Sequence, residues 1–192
     1  AVCNLLQGRT AGHQDAHTEQ ENMMQMRQYQ ECDLESIVAL ANKAWREIRK
    51  MSRQALGDKI ADVLNPQGDA VSKGEQVRAM ALKSPENFMV CEDAGRVVGF
   101  IYFWMDQQSG VGEIGNNAAD ADCGLKGIGQ MMYRAVLSHF KANGIKVACV
   151  STGLDPAHER ARKAYARAGF NKSLSSIRYY MDLSEYPQPQ AE

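Results

Sequence analysis

Gly124-Leu125-Lys126-Gly127-Ile128-Gly129 runs directly into the stretch Gln130–Asn143. Ile128, Met131, Met132, Ala135, Val136 and Phe140 recur there at the three- and four-residue spacing of one buried helix face. Gly144 follows as a helix stop. A glycine loop that feeds a helix points several backbone N–H groups at one spot, at the positive end of the helix dipole. Glycines let an anion approach the backbone closely, and Lys126 adds a positive charge. The stretch predicts a loop that holds phosphate. It is not a Walker loop, because Gln130 stands where the lysine is required. A plain tight loop is the competing reading.

A second cluster, Gly110-Val111-Gly112-Glu113-Ile114-Gly115, fits the dinucleotide pattern G-x-G-x-x-G. That motif needs a helix opening at its glycines. Asn116-Asn117-Ala118-Ala119-Asp120 starts no amphipathic helix, so this cluster reads as a glycine-rich hairpin turn.

Working outward, Met26–Gln30 reads as a first strand, and Asp33 as the N-cap of a helix running towards Gly57. Asp58–Asn65 and Lys73–Lys83 are shorter helices that stop before Pro66 and near Ser84-Pro85. Phe88–Cys91 and Arg96–Met105 are strands joined by a turn at Glu92-Asp93-Ala94-Gly95. Glu113–Ala119 is a strand and Ile145–Ser151 a buried strand. His158–Ala168 is the last helix and Ser176–Leu183 a closing strand. The order β-α-α-α-β-β-β-α-β-α-β implies an α/β (α+β) domain with a mixed, mostly antiparallel central sheet flanked by helices. It spans residues 23–183. Residues 1–22 read as a leader or extension and 184–192 as a tail.

Composition narrows the function classes. In 192 residues, 44% are hydrophobic and 23% charged, which supports a buried core. The 22 Lys+Arg against 23 Asp+Glu leave a net charge of −1, without the basic footprint of a nucleic-acid binder. The longest nearly unbroken apolar run, Val97–Met105, is far short of the ~20 residues that span a bilayer. Ala1–Leu6 lacks the basic flank of a secretory signal. Five cysteines without Cys-x-x-Cys spacing fit a cytoplasmic protein and neither a disulfide framework nor a zinc site. His13 and His17 could share a helical face, but no third metal ligand is nearby.

Two motifs flank one strand. Lys126-Gly127-Ile128-Gly129 opens a helix, and Tyr165-Ala166-Arg167-Ala168-Gly169-Phe170 ends one. Together they resemble the GNAT superfamily of acyl-CoA-dependent N-acetyltransferases, and the element order agrees over Met26–Leu183. Gly124 departs from the family pattern, where Gln or Arg is usual; Leu125 replaces a common glycine, and His158 stands where Asn is frequent. The resemblance implies acetyl-CoA as co-substrate, no metal, and direct attack of a primary amine in a ternary complex. It implies that Gly124, Leu125, Lys126, Gly127, Ile128, Gly129 and His158 contact the cofactor. Asn117, Ala118 and Ala119 would lie on a bulged strand that offers backbone groups to the acyl and pantetheine portions. The acceptor would be a small-molecule or peptide amine, and a homodimer is common in the family.

The chemistry asks for a base, an oxyanion donor and an acid for the leaving thiolate. In the resemblance Glu113 is the base and Tyr165 the acid. A tyrosine with an unperturbed pKa of about 10 is protonated at neutral pH. His158, Ala161, Tyr165 and Ala168 share a helix face whose alanines leave room for a ligand. Arg160, Lys163 and Arg167 form a basic stripe read as a solvated face, some of which a nearby cofactor phosphate would make useful. Cys123 has no base beside it to make it a nucleophile. Trp45, Tyr102 and Trp104 read as core aromatics. The rival reading is a non-catalytic acyl-CoA-binding regulatory module, which has no need of an acid.

Overall fold

The computed structural model describes residues 24–187. The leader, with His13 and His17, and the end of the tail lie outside the described residues. Five strands form one sheet in the order β1 (Gln25–Gln28), β2 (Phe88–Asp93), β3 (Arg96–Asp106), β4 (Val111–Ala119) and β5 (Val147–Val150). Pairing is antiparallel from β1 to β4 and parallel between β4 and β5. The fold is the mixed, mostly antiparallel sheet flanked by helices that the sequence implies.

Helices α1 (Leu34–Leu56), α2 (Asp58–Leu64) and α3 (Ser72–Lys83) connect β1 to β2. Gly57 ends α1 at φ 79°, and Asn65-Pro66 follows α2. Asp33 precedes α1, but its carboxylate does not cap the helix. It accepts the Gln30 N–H and two hydrogen bonds from Arg27, which also holds Glu92. That network ties β1 to the helix entrance. The β2–β3 turn has Ala94 at φ 48° and Gly95 at φ 75°, the two positive angles of the turn that matches strand twist.

Helices α4 (Ile128–Ala142) and α5 (Glu159–Ala168) cover the opposite face. The sheet thus separates two apolar layers. Ile101, Phe103, Ile114, Met132, Val136 and Phe140 pack on the α4–α5 side. Ile37, Ala41, Val77, Phe88, Val90 and Phe100 pack on the α1–α3 side.

Two expectations change. The glycines at 112 and 115 are not turn residues; they lie within β4. A Cβ at Gly112 would come 2.7 Å from the Phe140 ring, and one at Gly115 2.8 Å from Tyr102. They are small because neighbouring rings occupy their space, and Gly110 alone sits in the turn, at φ 71°. Second, Ser176–Leu183 forms no strand, so the order ends at α5. Ile177, Tyr179, Met181 and Leu183 are largely exposed. They bury too little surface to offset the entropy of ordering an added strand. Asp182 instead accepts the Ser184 N–H and pairs with Lys59 of α2, which turns the chain away. Consequently β5 is an edge strand, with Val147 exposed rather than buried.

Candidate active site

The register between β3 and β4 slips at one place. Ile101 pairs with Asn117 but Phe103 pairs with Ile114, so Tyr102 alone faces both Gly115 and Asn116. One extra residue in one strand is a β-bulge, which bends that strand. The pairing of β4 with β5 also stops at Ile114–Val150. From Gly115 to Ala119 the β5-facing edge of β4 is therefore without a strand partner.

The bulge also reverses the alternation of side chains. Glu113 pairs with Trp104, and Asn117 with Ile101. Residues 101 and 104 of the regular β3 project to opposite faces. Glu113 accordingly lies on the α1–α3 face and Asn117 on the α4–α5 face.

A cavity of about 850 Å³ occupies the gap. Of the residues expected from sequence, Glu113, Asn117, Ala118, Ala119, Leu125, Lys126, Gly127, Ile128, Gly129, His158 and Tyr165 line it together. Gly124 does not; it is exposed at φ 78° in the loop before it. Trp45 and Ile48 of α1 also line the cavity, so Trp45 is not simply core. Arg160 and Arg167 line it from the exposed side of α5, whereas Lys163 of the same stripe pairs with Glu159. Cys123 is tied to the loop by its thiol, which donates to the Asp120 carbonyl.

At one end, Gly127 sits at φ 85° as the N-cap of α4. No side chain caps this helix and its first turn holds no acidic residue. The N–H groups of Ile128, Gly129 and Gln130 have no intrahelical acceptor. Lys43 of α1 holds Asp120 and Asp122 at 2.6 and 2.7 Å, anchoring the loop from the other side. Gly153 makes room for the Asp155–His158 pair, 2.6 Å between Oδ2 and Nδ1. Burial raises the Asp155 pKa, but the His158 contact more than offsets this and keeps it below the ordinary carboxylate value.

At the other end, Tyr165 is buried, with its ring against Tyr133 and Phe170. Burial pushes its hydroxyl above the ordinary value of 10, while Asn117 and Tyr133 pull the other way. The Glu113 carboxylate makes no hydrogen bond or ion pair among the described residues. Behind the wall, Lys73 donates to Gln76 and Asn116, both at 2.7 Å, and lies 4.4 Å from the centre of the Trp45 ring. It is 7% exposed and pairs with no carboxylate among the described residues. Burial, and then the charge of Arg49, lower its pKa to about 8. Sequence reasoning missed Lys73 and Tyr133. Lys73 reads as an ordinary helix lysine, because its partner Asn116 is distant in the chain. Tyr133 was recoverable, since it lies one helical turn beyond Gly129.

A family model described as "Acetyltransferase (GNAT) family" matches residues 35–170. The chain belongs to the GNAT acetyltransferase family. Solved structures similar to this GNAT chain include a PaiA N-acetyltransferase from Thermoplasma acidophilum in complex with coenzyme A. The two share 15% identity at a TM-score of 0.60, over 80% of this chain and 93% of that one. An aminoglycoside acetyltransferase from an uncultured soil metagenomic sample, in complex with sisomicin, shares 17% at a TM-score of 0.53. That match covers 84% of this chain and 97% of the other. A GNAT acetyltransferase from Brucella melitensis, in complex with acetyl-CoA, shares 19% at a TM-score of 0.51, over 79% and 84%. Among curated proteins no match is found. No helix among the described residues is long and apolar enough to cross a membrane. None of their His, Cys, Asp or Glu residues group in threes that could hold a metal ion.

Proposed function

We propose that the chain transfers an acetyl group from acetyl-CoA to a primary amine by direct attack in a ternary complex. The observation that carries this reading is the continuity of the cavity between β4 and β5. It joins an uncapped helix N-terminus to an unpaired carboxylate and a buried phenol, across a gap between β4 and β5.

The residues fit the co-substrate. The free N–H groups of Ile128, Gly129 and Gln130, with Lys126, suit a pyrophosphate. Arg160 and Arg167 suit a further phosphate, and Ala157, Ala161 and Ala164 leave width for a pantetheine arm. Similar structures hold coenzyme A or acetyl-CoA, which supports the same choice here. Bound there, acetyl-CoA supplies an activated acyl carbon.

This chain's residues do the rest. Glu113 takes the proton that the attacking amine loses, directly or through water. Free N–H groups on the unpaired edge of β4 stabilise negative charge on the acyl oxygen. Tyr165, kept protonated by burial, gives its proton to the departing sulfur. The acceptor is a small-molecule or peptide amine that enters past Trp45 and Ile48.

Thiol release measured against a panel of amines tests the reading. Acceptor-dependent release with formation of the acetylated amine is expected. Tight acetyl-CoA binding with no release for any amine would overturn it in favour of the non-catalytic module.

A further inference from the structure

The Asn117 side chain has three partners. Its Nδ2 lies 3.1 Å from the Gly115 carbonyl oxygen and 3.2 Å from the Tyr165 hydroxyl. Its Oδ1 lies 2.9 Å from the Tyr133 hydroxyl. A carbonyl oxygen only accepts, so the amide end facing Gly115 must be the nitrogen. The flipped amide would set two acceptors against each other. With Oδ1 then turned to Tyr133, that hydroxyl must donate. The second Nδ2 hydrogen goes to the Tyr165 oxygen. That oxygen is an acceptor, so its own hydrogen is not spent on Asn117.

We propose that Asn117, locked by Tyr133, is a positioning residue that aims the Tyr165 hydroxyl proton at the sulfur leaving the acetyl group. The proposal rests on the acetyl-transfer reading. The parts that hold this aim are fixed. Tyr133 and Tyr165 are both buried, with ring centroids 5.2 Å apart. Gln130 of α4 donates to the Ala164 carbonyl of α5 at 2.9 Å, which fixes the spacing between the two tyrosines' helices. Asn117 itself follows the bulge, and the bulge is what turns its side chain to this face.

The step balances. The amine nitrogen forms a bond to the acyl carbon and the carbon–sulfur bond breaks, its electron pair going to sulfur. The amine proton passes to Glu113 and the Tyr165 proton to sulfur. The resulting phenolate and carboxylic acid return to their starting states by proton exchange with water. A donation from Asn117 to the Tyr165 oxygen stabilises that phenolate.

The test compares two acyl donors in Asn117→Ala, Tyr133→Phe and Tyr165→Phe. One donor is acetyl-CoA; the other is an acetyl ester of an aryl thiol, whose more acidic thiol leaves without help. With acetyl-CoA, kcat should fall about 10²-fold in Asn117→Ala and about fivefold in Tyr133→Phe, with KM for acetyl-CoA little changed. With the aryl thioester both deficits should shrink towards parent rates. Equal slowing with both donors means a structural role and overturns the proposal. Parent-like turnover of Asn117→Ala beside a slow Tyr165→Phe also overturns it, while leaving the acid role of Tyr165 intact. Parent-like turnover of Tyr165→Phe overturns the acid role itself. If Asn117→Ala loses its fold by circular dichroism, Tyr133→Phe carries the same comparison.

Discussion

The two faces of the sheet meet at one cavity and differ in chemistry. On the α4–α5 face the polar groups beside the bulge are neutral: the amide of Asn117 and the hydroxyls of Tyr133 and Tyr165 in one hydrogen-bonded chain. On the α1–α3 face they are ionic: the carboxylate of Glu113 and the ammonium of Lys73. Burial acts in opposite senses on the two. It keeps a phenol protonated, which is what an acid needs, and it disfavours the charge on a lysine. A group that must deliver a proton gains from being sealed in, whereas a carboxylate that must collect one works best where the cavity stays open.

The comparison breaks most sharply at Tyr165. Tyr165→Phe keeps the ring against Tyr133 and Phe170 but removes the proton. Turnover with acetyl-CoA should fall by about 10²–10⁴-fold, with thermal stability and acetyl-CoA affinity close to the parent. Steady-state kinetics and thermal unfolding on one preparation check this. Full activity with a lowered melting point would make Tyr165 part of the scaffold.

Glu113→Gln probes the other face. Turnover at neutral pH should fall by about 10²-fold, and the loss should shrink at high pH, where the amine deprotonates unaided. A pH–rate profile that overlays the parent would remove Glu113 from the reaction.

Lys73 gives the smallest effect and sharpens the contrast in stability rather than rate. Its folded pKa of about 8 lies below its ordinary 10.5. Between those values the unfolded chain binds more protons, so stability rises with pH across that window. Below about pH 8 the burial cost is fully present, and it is relieved as pH rises towards 10.5. The whole difference is worth about 3 kcal/mol. Urea unfolding of the parent and Lys73→Met should show the parent gaining up to that amount over the variant between about pH 8 and about pH 10.5. A gap that does not vary with pH would show that Lys73 titrates normally.

Much of this was legible from residues alone. The spacing of Ile128, Met132, Val136 and Phe140 fixed α4, and Gly127 before it marked where the helix opens. Local periodicity carries that information because both periods are set by neighbours a few residues away. What it does not carry is who pairs with whom. Ser176–Leu183 has strand-like residues but finds no ladder, because its side chains stay largely exposed and bury too little to order an added strand. Gly112 and Gly115 looked like turn glycines because the rings that need their space, Phe140 and Tyr102, lie on other elements. Asn117 was legible as backbone at a bulge, but its side chain's partners come from α4 and α5. The sequence shows no spacing that would join them.

The bulge makes the sheet a partition with a single slit in it. The amine would approach the acyl carbon from the α1–α3 side, past Trp45, and the thiol would depart on the side of α4 and α5. Acceptor and leaving group then use separate doors. Substitutions at Trp45 and Ile48 would then change which amines are admitted without touching the half proposed to grip acetyl-CoA. It also makes one residue decisive out of proportion to its size. Deleting Gly115 or Asn116 would restore a regular ladder with Tyr102, with Glu113 still opposite Trp104 and Asn117 still opposite Ile101, but it would straighten the bend that parts β4 from β5. Base and acid would keep their own sides of the wall, and the slit between them would close.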